Sequence, residues 1–202
     1  MTGRLEGKAA FVTGAGAGIG RAIALAMARE GATVAAVDID LAAATDCASE
    51  AANSGGAAMA YQCDIADRQA VYATMSAFVA HSRRLDVLVN NAVMFHYAPL
   101  VDMPEEIVQR MLAVGVAGTI WCLQAATPHL IAGGGGSVIN MSSVAVSFSI
   151  KNAAVYTSIK GAIDALTRQQ AVELAAHGIR VNALAPGPVS TPGANSVIDE
   201  QG

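Results

Sequence analysis

Short apolar runs of strand length alternate along the chain with longer helical stretches. The runs Lys8 to Thr13, Thr33 to Asp38, Ala57 to Cys63, Asp86 to Asn91, Ser137 to Ser142 and Ile179 to Ala185 predict six strands. Between them, helices are expected from about Gly18 to Glu30, Leu41 to Ser54, Arg68 to Ser82, Pro104 to Ile131 and Ala154 to His177. Gly31 and Gly178 stand where helices stop. Strict alternation of strand and helix implies parallel pairing through right-handed crossovers, so the expected fold is α/β, a single doubly wound parallel sheet. Residues 1–202 are read as one domain, because the alternation resumes after the Gly133 to Gly136 run. No internal repeat interrupts it, and the tail after Thr191 carries no further strand.

Composition agrees with a sheet buried on both faces. Hydrophobic residues make up 53% of the 202 residues and charged residues 14%. A net charge of -4 without any Lys/Arg-rich run argues against nucleic acid or an anionic membrane as the main partner and favours small-molecule chemistry. The start, MTGRLEGKAA, lacks the apolar stretch of a secretory signal, and no run reaches the roughly 18 apolar residues of a membrane span. A cytoplasmic location is therefore expected. Cys47, Cys63 and Cys122 are widely separated and read as reduced residues. His81, His96, His129 and His177 are equally scattered and give no support to a metal centre.

Three motifs carry candidate chemistry. Thr13-Gly14-Ala15-Gly16-Ala17-Gly18-Ile19-Gly20 follows a strand and opens a helix, the context in which glycines let backbone N–H groups approach a pyrophosphate. Alone it is also compatible with a plain tight βα turn. Asp38 closes the second strand about 18 residues beyond Gly20, where a carboxylate accepts hydrogen bonds from an adenosine ribose and repels a 2'-phosphate. NAD is thus preferred over NADP; the other reading of Asp38 is an N-cap of the next helix. Tyr156 and Lys160 stand four residues apart on a helix, hence on one face, and the cation favours an ionised phenol suited to acid/base work. Ser143 lies thirteen residues before the tyrosine. Taken alone, the Tyr-x-x-x-Lys spacing also fits a solvated helix edge. Asp64 and Asn91 both follow strand C-termini, where doubly wound sheets bind ligands, although each in isolation also reads as a turn residue.

Together with Asn90-Asn91-Ala92, and with Arg180-Val181-Asn182 leading to Pro186-Gly187-Pro188-Val189-Ser190-Thr191, these motifs resemble the short-chain dehydrogenase/reductases of the Tyr-x-x-x-Lys type over residues 5 to 191. The resemblance implies a Rossmann sheet and an NAD-dependent hydride transfer between an alcohol and a ketone. It makes Tyr156 the general acid/base and has Ser143 bond the same substrate oxygen. Lys160 would hold the nicotinamide ribose and support the tyrosinate. It implies cofactor contacts at Gly14, Gly18, Ile19, Gly20, Asp38, Asp64, Ile65, Asn91, Ala92, Tyr156, Lys160, Pro186, Gly187, Val189 and Thr191.

Three departures from the family pattern stand out. Gly115 occupies the place of an asparagine that holds a water behind the lysine, so Gly115→Asn is expected to raise turnover if that relay is impaired. Val93 replaces a glycine near the cofactor. The chain also stops well short of the family's usual length, lacking a seventh strand and a substrate lid, so it reads either as a fragment or as a sheet whose edge a partner covers.

Met94, Phe95 and His96, Val144 to Val146, and Pro188 are expected to line a mostly apolar pocket. With no cation among them, a neutral, fairly hydrophobic alcohol or ketone is the expected substrate. Apolar surface on the helices around Trp121 and around Ala162 to Ala171 points to a homodimer or homotetramer, or equally to burial against the parent sheet. An NAD-binding regulatory or scaffold protein of the same fold with little turnover is the alternative function.

Overall fold

The computed structural model describes residues 3–191. Its strands are β1 Ala9–Thr13, β2 Thr33–Asp38, β3 Ala57–Gln62, β4 Val87–Asn90, β5 Gly136–Met141 and β6 Ile179–Leu184. They form one parallel sheet in the order β3-β2-β1-β4-β5-β6. The order reverses between β1 and β4, which creates the crevice where doubly wound sheets bind ligands. The helices are α1 Gly18–Arg29, α2 Leu41–Asn53, α3 Arg68–Ser82, α4 Glu105–Leu112, α5 Thr119–Ala132 and α6 Ala154–Leu174.

Alternation along each strand feeds two cores. Ala9 and Phe11 of β1 and Ala35 and Val37 of β2 face α3, α5 and α6, where Met75, Phe78, Leu123, Leu130 and Leu174 pack against them. Ala10, Val12, Val34 and Ala36 point the other way, onto Ala24, Leu25 and Ala28 of α1 and Cys47 and Ala51 of α2. The period of two in a strand makes this division unavoidable once both faces are covered. All three cysteines are free and buried. The helical run Glu105–Ala132 is long and apolar enough to pass for a membrane span, yet Cys122, Leu123, Ala126 and Leu130 lie in the core of this sheet.

The stretch expected as one helix from Pro104 to Ile131 is interrupted. Ala113–Gly118 forms a π-helical turn between α4 and α5, holding Gly115 and Gly118 at close contacts. Such turns widen the helix and cluster at functional sites. Asp40, and not Asp38, caps α2: its carboxylate accepts the Ala42 and Ala43 N–H groups at 2.9 and 3.2 Å. Asp38 is thereby released from the capping role.

Candidate active site

A cavity of about 610 Å³ opens over the C-terminal ends of the strands. Its lining joins Gly14, Ala17, Gly18 and Ile19 of the glycine turn to Asp38, Asn91 and Ala92, Met141 to Val144, and Tyr156 and Lys160 of α6. Pro186, Gly187, Val189 and Thr191 complete it. Residues separated by up to 177 positions in the chain thus share one space, because parallel strands deliver their C-termini to one edge.

The glycine turn is held where side chains would not fit. Gly14 has φ +66°, and a Cβ there would lie 2.8 Å from Asn91 Nδ2. A Cβ on Gly20 would lie 2.0 Å from the Gly14 carbonyl oxygen, so Gly20 supports the turn from behind and does not line the cavity. Asn91 Nδ2 donates to the carbonyls of Thr13 and Gly14 at 3.0 and 3.2 Å. Thr13 Oγ1 accepts the N–H groups of Asn91 and Ala92 at 3.0 and 3.1 Å. The ends of β1 and β4 are stitched together, and the open N-terminus of α1 is fixed beneath them. Asp38 Oδ2 accepts the Gly16 N–H at 2.9 Å and Oδ1 accepts that of Asp40 at 3.1 Å. The turn therefore brings the carboxylate to its own rim.

At the other end, Lys160 is 5% exposed and its Nζ donates to the Met141 carbonyl at 2.6 Å. The ammonium lies 5.6 Å from the centre of the Tyr156 ring, as one helical turn dictates. Burial lowers the Lys160 pKa to about 8, against a smaller upward pull from the charge of Asp164. Ser143 lies two residues beyond β5 and caps a short helical turn, its Oγ accepting the Ala145 N–H at 3.1 Å. Phe95 and Tyr97 stack at 5.9 Å and meet the Tyr156 ring edge-on at 6.4 and 5.8 Å. Burial pushes the Tyr97 phenol up, with Tyr156 adding to the effect.

The cavity lining differs from the sequence expectations at several positions. The cavity does not reach Asp64 or Ile65. Asp64 spends its carboxylate on the Ala66 N–H at 3.0 Å and on Arg110 at 2.9 Å, and Ile65 is buried beneath Gly118. Met94, His96, Ala145 and Val146 do not line the cavity, while Val93, Tyr97, Ile150 and Lys151 do. Lys151 is exposed, but it is a cation in a lining expected to have none. No local motif marks Tyr97 or Lys151; only the folding of their loops onto α6 brings them in. Gly115→Asn does not restore a missing side chain freely, because a Cβ at 115 would lie 2.5 Å from Ile159 Cγ2. The Gly115 carbonyl already accepts the Thr119 hydroxyl at 2.8 Å.

A parallel sheet with a glycine turn at its switch point, and a Tyr–Lys pair across the same cavity, defines a Rossmann-type oxidoreductase fold. The chain belongs to the short chain dehydrogenase family, whose profile matches residues 8–202. It is 42% identical over 187 residues to the sorbitol dehydrogenase of Cereibacter sphaeroides, covering 92% of this chain and 72% of that protein. Among solved structures it resembles a 7α-hydroxysteroid dehydrogenase complexed with NADH and 7-oxo-glycochenodeoxycholic acid, at TM-score 0.92 and 36% identity over 96% of this chain and 76% of the other. An NAD+-bound xylitol dehydrogenase is similar at TM-score 0.88 and 36% identity, over 91% of this chain and 71% of the other.

Proposed function

We propose that this chain is an NAD-dependent dehydrogenase or reductase acting on a neutral, fairly hydrophobic secondary alcohol or its ketone, with Tyr156 as the general acid/base. The observation that carries this reading is the meeting of Ser143, Tyr156 and Lys160 with the glycine turn and Asp38 in one cavity. The cradle fits a dinucleotide. Its glycines lie where a Cβ would collide, the N-terminus of α1 favours phosphate charge, and Asp38 is the charged group at that end of the lining. With no cation beside Asp38 among the described lining residues, a 2'-phosphate would meet repulsion, which favours NAD. Gly14, Gly18 and Ile19 would hold the pyrophosphate, Asp38 the adenosine ribose, Lys160 the nicotinamide ribose, and Val189 and Thr191 the carboxamide. NAD supplies the acceptor or donor of hydride.

The chain's own groups handle the proton. Tyr156 takes it from the alcohol in oxidation or gives it to the ketone in reduction, while Ser143 bonds the same oxygen. Two positioned groups on an oxygen that gains charge stabilise the transition state more than the ground state. The Met141 carbonyl holds the lysine ammonium 5.6 Å from the centre of the Tyr156 ring. Among the described residues, Val93, Phe95, Tyr97, Val144, Ile150 and Pro188 give the substrate end a mainly apolar and aromatic surface, with the exposed Lys151 as its one lining cation beside the catalytic pair, which supports a substrate with a hydrophobic body. We read residues 1–202 as one dinucleotide-binding domain, and the chain as assembling into a homodimer or homotetramer in the cytoplasm.

The test is reduced-nicotinamide absorbance with NAD and a panel of secondary alcohols, from steroid to polyol. Turnover with the apolar members, lost in Tyr156→Phe while NAD still binds, supports the reading. Tight NAD binding with no Tyr156-dependent turnover of any alcohol would make the chain a nucleotide-binding protein without catalysis.

A further inference from the structure

Two aromatic side chains in the cavity lining are used neither by the dinucleotide cradle nor by proton transfer. Phe95 and Tyr97 follow β4, line the cavity and stack at 5.9 Å with their ring planes 29° apart. Both meet the Tyr156 ring nearly at right angles, at 80° and 84°, an arrangement that aromatic quadrupoles favour. Their surroundings differ. Phe95 and Tyr156 both pack against the apolar cluster of Met111, Val155 and Ile159, so Phe95 is backed by α4 and α6 where it bears on the tyrosine. Tyr97 lies outside that cluster. Its loop is instead clasped to the one before α6, because the Ala98 N–H donates to the Asn152 carbonyl at 3.1 Å. Asn152 has φ +62°, a left-handed conformation that asparagine adopts more readily than most residues. The clasp sets Tyr97 and Ile150, from different loops, in one lining.

We infer that Phe95 and Tyr97 determine specificity: Phe95 positions the Tyr156 ring, and Tyr97 offers a flat face to a substrate that carries its secondary alcohol or ketone on a carbon ring. The inference rests on the proposed dehydrogenase reading for its reaction, and on the ring geometry for its binding. An aromatic face meets several C–H groups of a ring at once, each adding a small dispersion gain. A ring is already rigid, so binding it costs less conformational entropy than ordering an open chain of equal carbon count. A polyhydroxylated chain would leave hydroxyls against Phe95 and Ile150 without partners.

Binding and turnover are tested separately. Cyclohexanone and hexan-2-one are titrated by ligand-observed NMR against the chain saturated with NAD; neither reacts, since ketone and oxidised cofactor hold no hydride to transfer. The expected result is about tenfold tighter binding of the cyclic ketone, a preference kept in Tyr97→Phe and lost in Tyr97→Ala. Tyr97→Leu, which keeps bulk without a flat face, gives the same reading if Tyr97→Ala does not fold. Equal affinities in the native chain, no binding of either ketone, a preference that survives Tyr97→Leu, or one lost in Tyr97→Phe overturns the inference. In steady-state kinetics with cyclohexanol and hexan-2-ol, Tyr97→Leu should raise KM for the cyclic alcohol with kcat little changed, and Phe95→Leu should lower kcat for both. Equal KM changes for the two alcohols count against Tyr97, and an unchanged kcat in Phe95→Leu counts against Phe95. If no alcohol is turned over but the ketone preference depends on Tyr97, the dehydrogenase reading fails while the ring selection stands. Turnover without ring preference leaves the dehydrogenase reading standing and ends this one.

Discussion

At Tyr156 one phenolic oxygen carries the acid/base assignment. Tyr156→Phe should lower kcat by roughly 10²–10⁴-fold while NAD affinity changes little, measured by steady-state kinetics beside a binding titration. Lys160 makes a separate prediction on stability. Its folded pKa of about 8 lies below the ordinary lysine value of 10.5, so between the two the unfolded chain binds more protons than the folded one. Stability contributed by this group therefore rises with pH from about 8 to 10.5, and below 8 the cost of burying the charge stands in full. Lys160→Met should gain stability relative to the native chain most below about pH 8, with the difference shrinking above it in thermal denaturation series. The identities of Ser143, Tyr156, Lys160 and Asp38 were readable from spacing and neighbours. Tyr97, Ile150 and Lys151 were not, because their entry into the lining depends on how the loops after β4 and after β5 fold against α6.

Among the elements, all six strands and the helices α1 to α3 were legible to within a residue, since period-two burial and glycine stops are local signals, whereas α6 ends three residues before the expected His177 and one expected helix divides into α4, a π-helical turn and α5. The sequence offered Asp38 as an N-cap of α2, and the observed bonds assign the cap to Asp40, the residue immediately before the helix. Asp40→Ala should cost about 1 kcal/mol in denaturant unfolding, with little effect on NAD affinity, whereas Asp38→Ala should act mainly on NAD affinity. The π-helical turn at Ala113–Gly118 was unreadable as such. Helical periodicity continues through it in sequence, and the extra residue per turn follows from packing Gly115 against Ile159 and Gly118 against Ile65.

Across the whole molecule, Asp86 ties the start of β1 to the start of β4. It accepts the Ala9 N–H at 2.9 Å, two Arg84 bonds at 2.6 Å and one from Lys8 at 3.2 Å. Burial alone would raise its pKa, but these donors together hold it below the usual carboxylate range. A lowered folded value means that the stabilisation is present above the unfolded pKa and is lost as pH falls through the folded one. Asp86→Asn should lower Tm at neutral pH and converge on the native chain in acid. At the same scale, Trp121, Leu166 and Ala171, expected at an interface, pack on this chain's own core, while Val172 remains 77% exposed. Val172→Asp should leave the monomer folded and shift the proposed oligomer toward monomer in light scattering.

By itself the sequence determined the alternation of strands and helices, the glycine turn, the acidic end of β2 and the Tyr–Lys face, because each depends on residues near one another in the chain. Only the tertiary structure decided which of those residues share a cavity and that Asp64 and Ile65 stand outside it. It also decided that the vacancy read at Gly115 is filled by Ile159. Those outcomes depend on the volumes and directions of side chains from separate elements meeting in a closely packed interior, where a contact of 2.5 Å decides what fits.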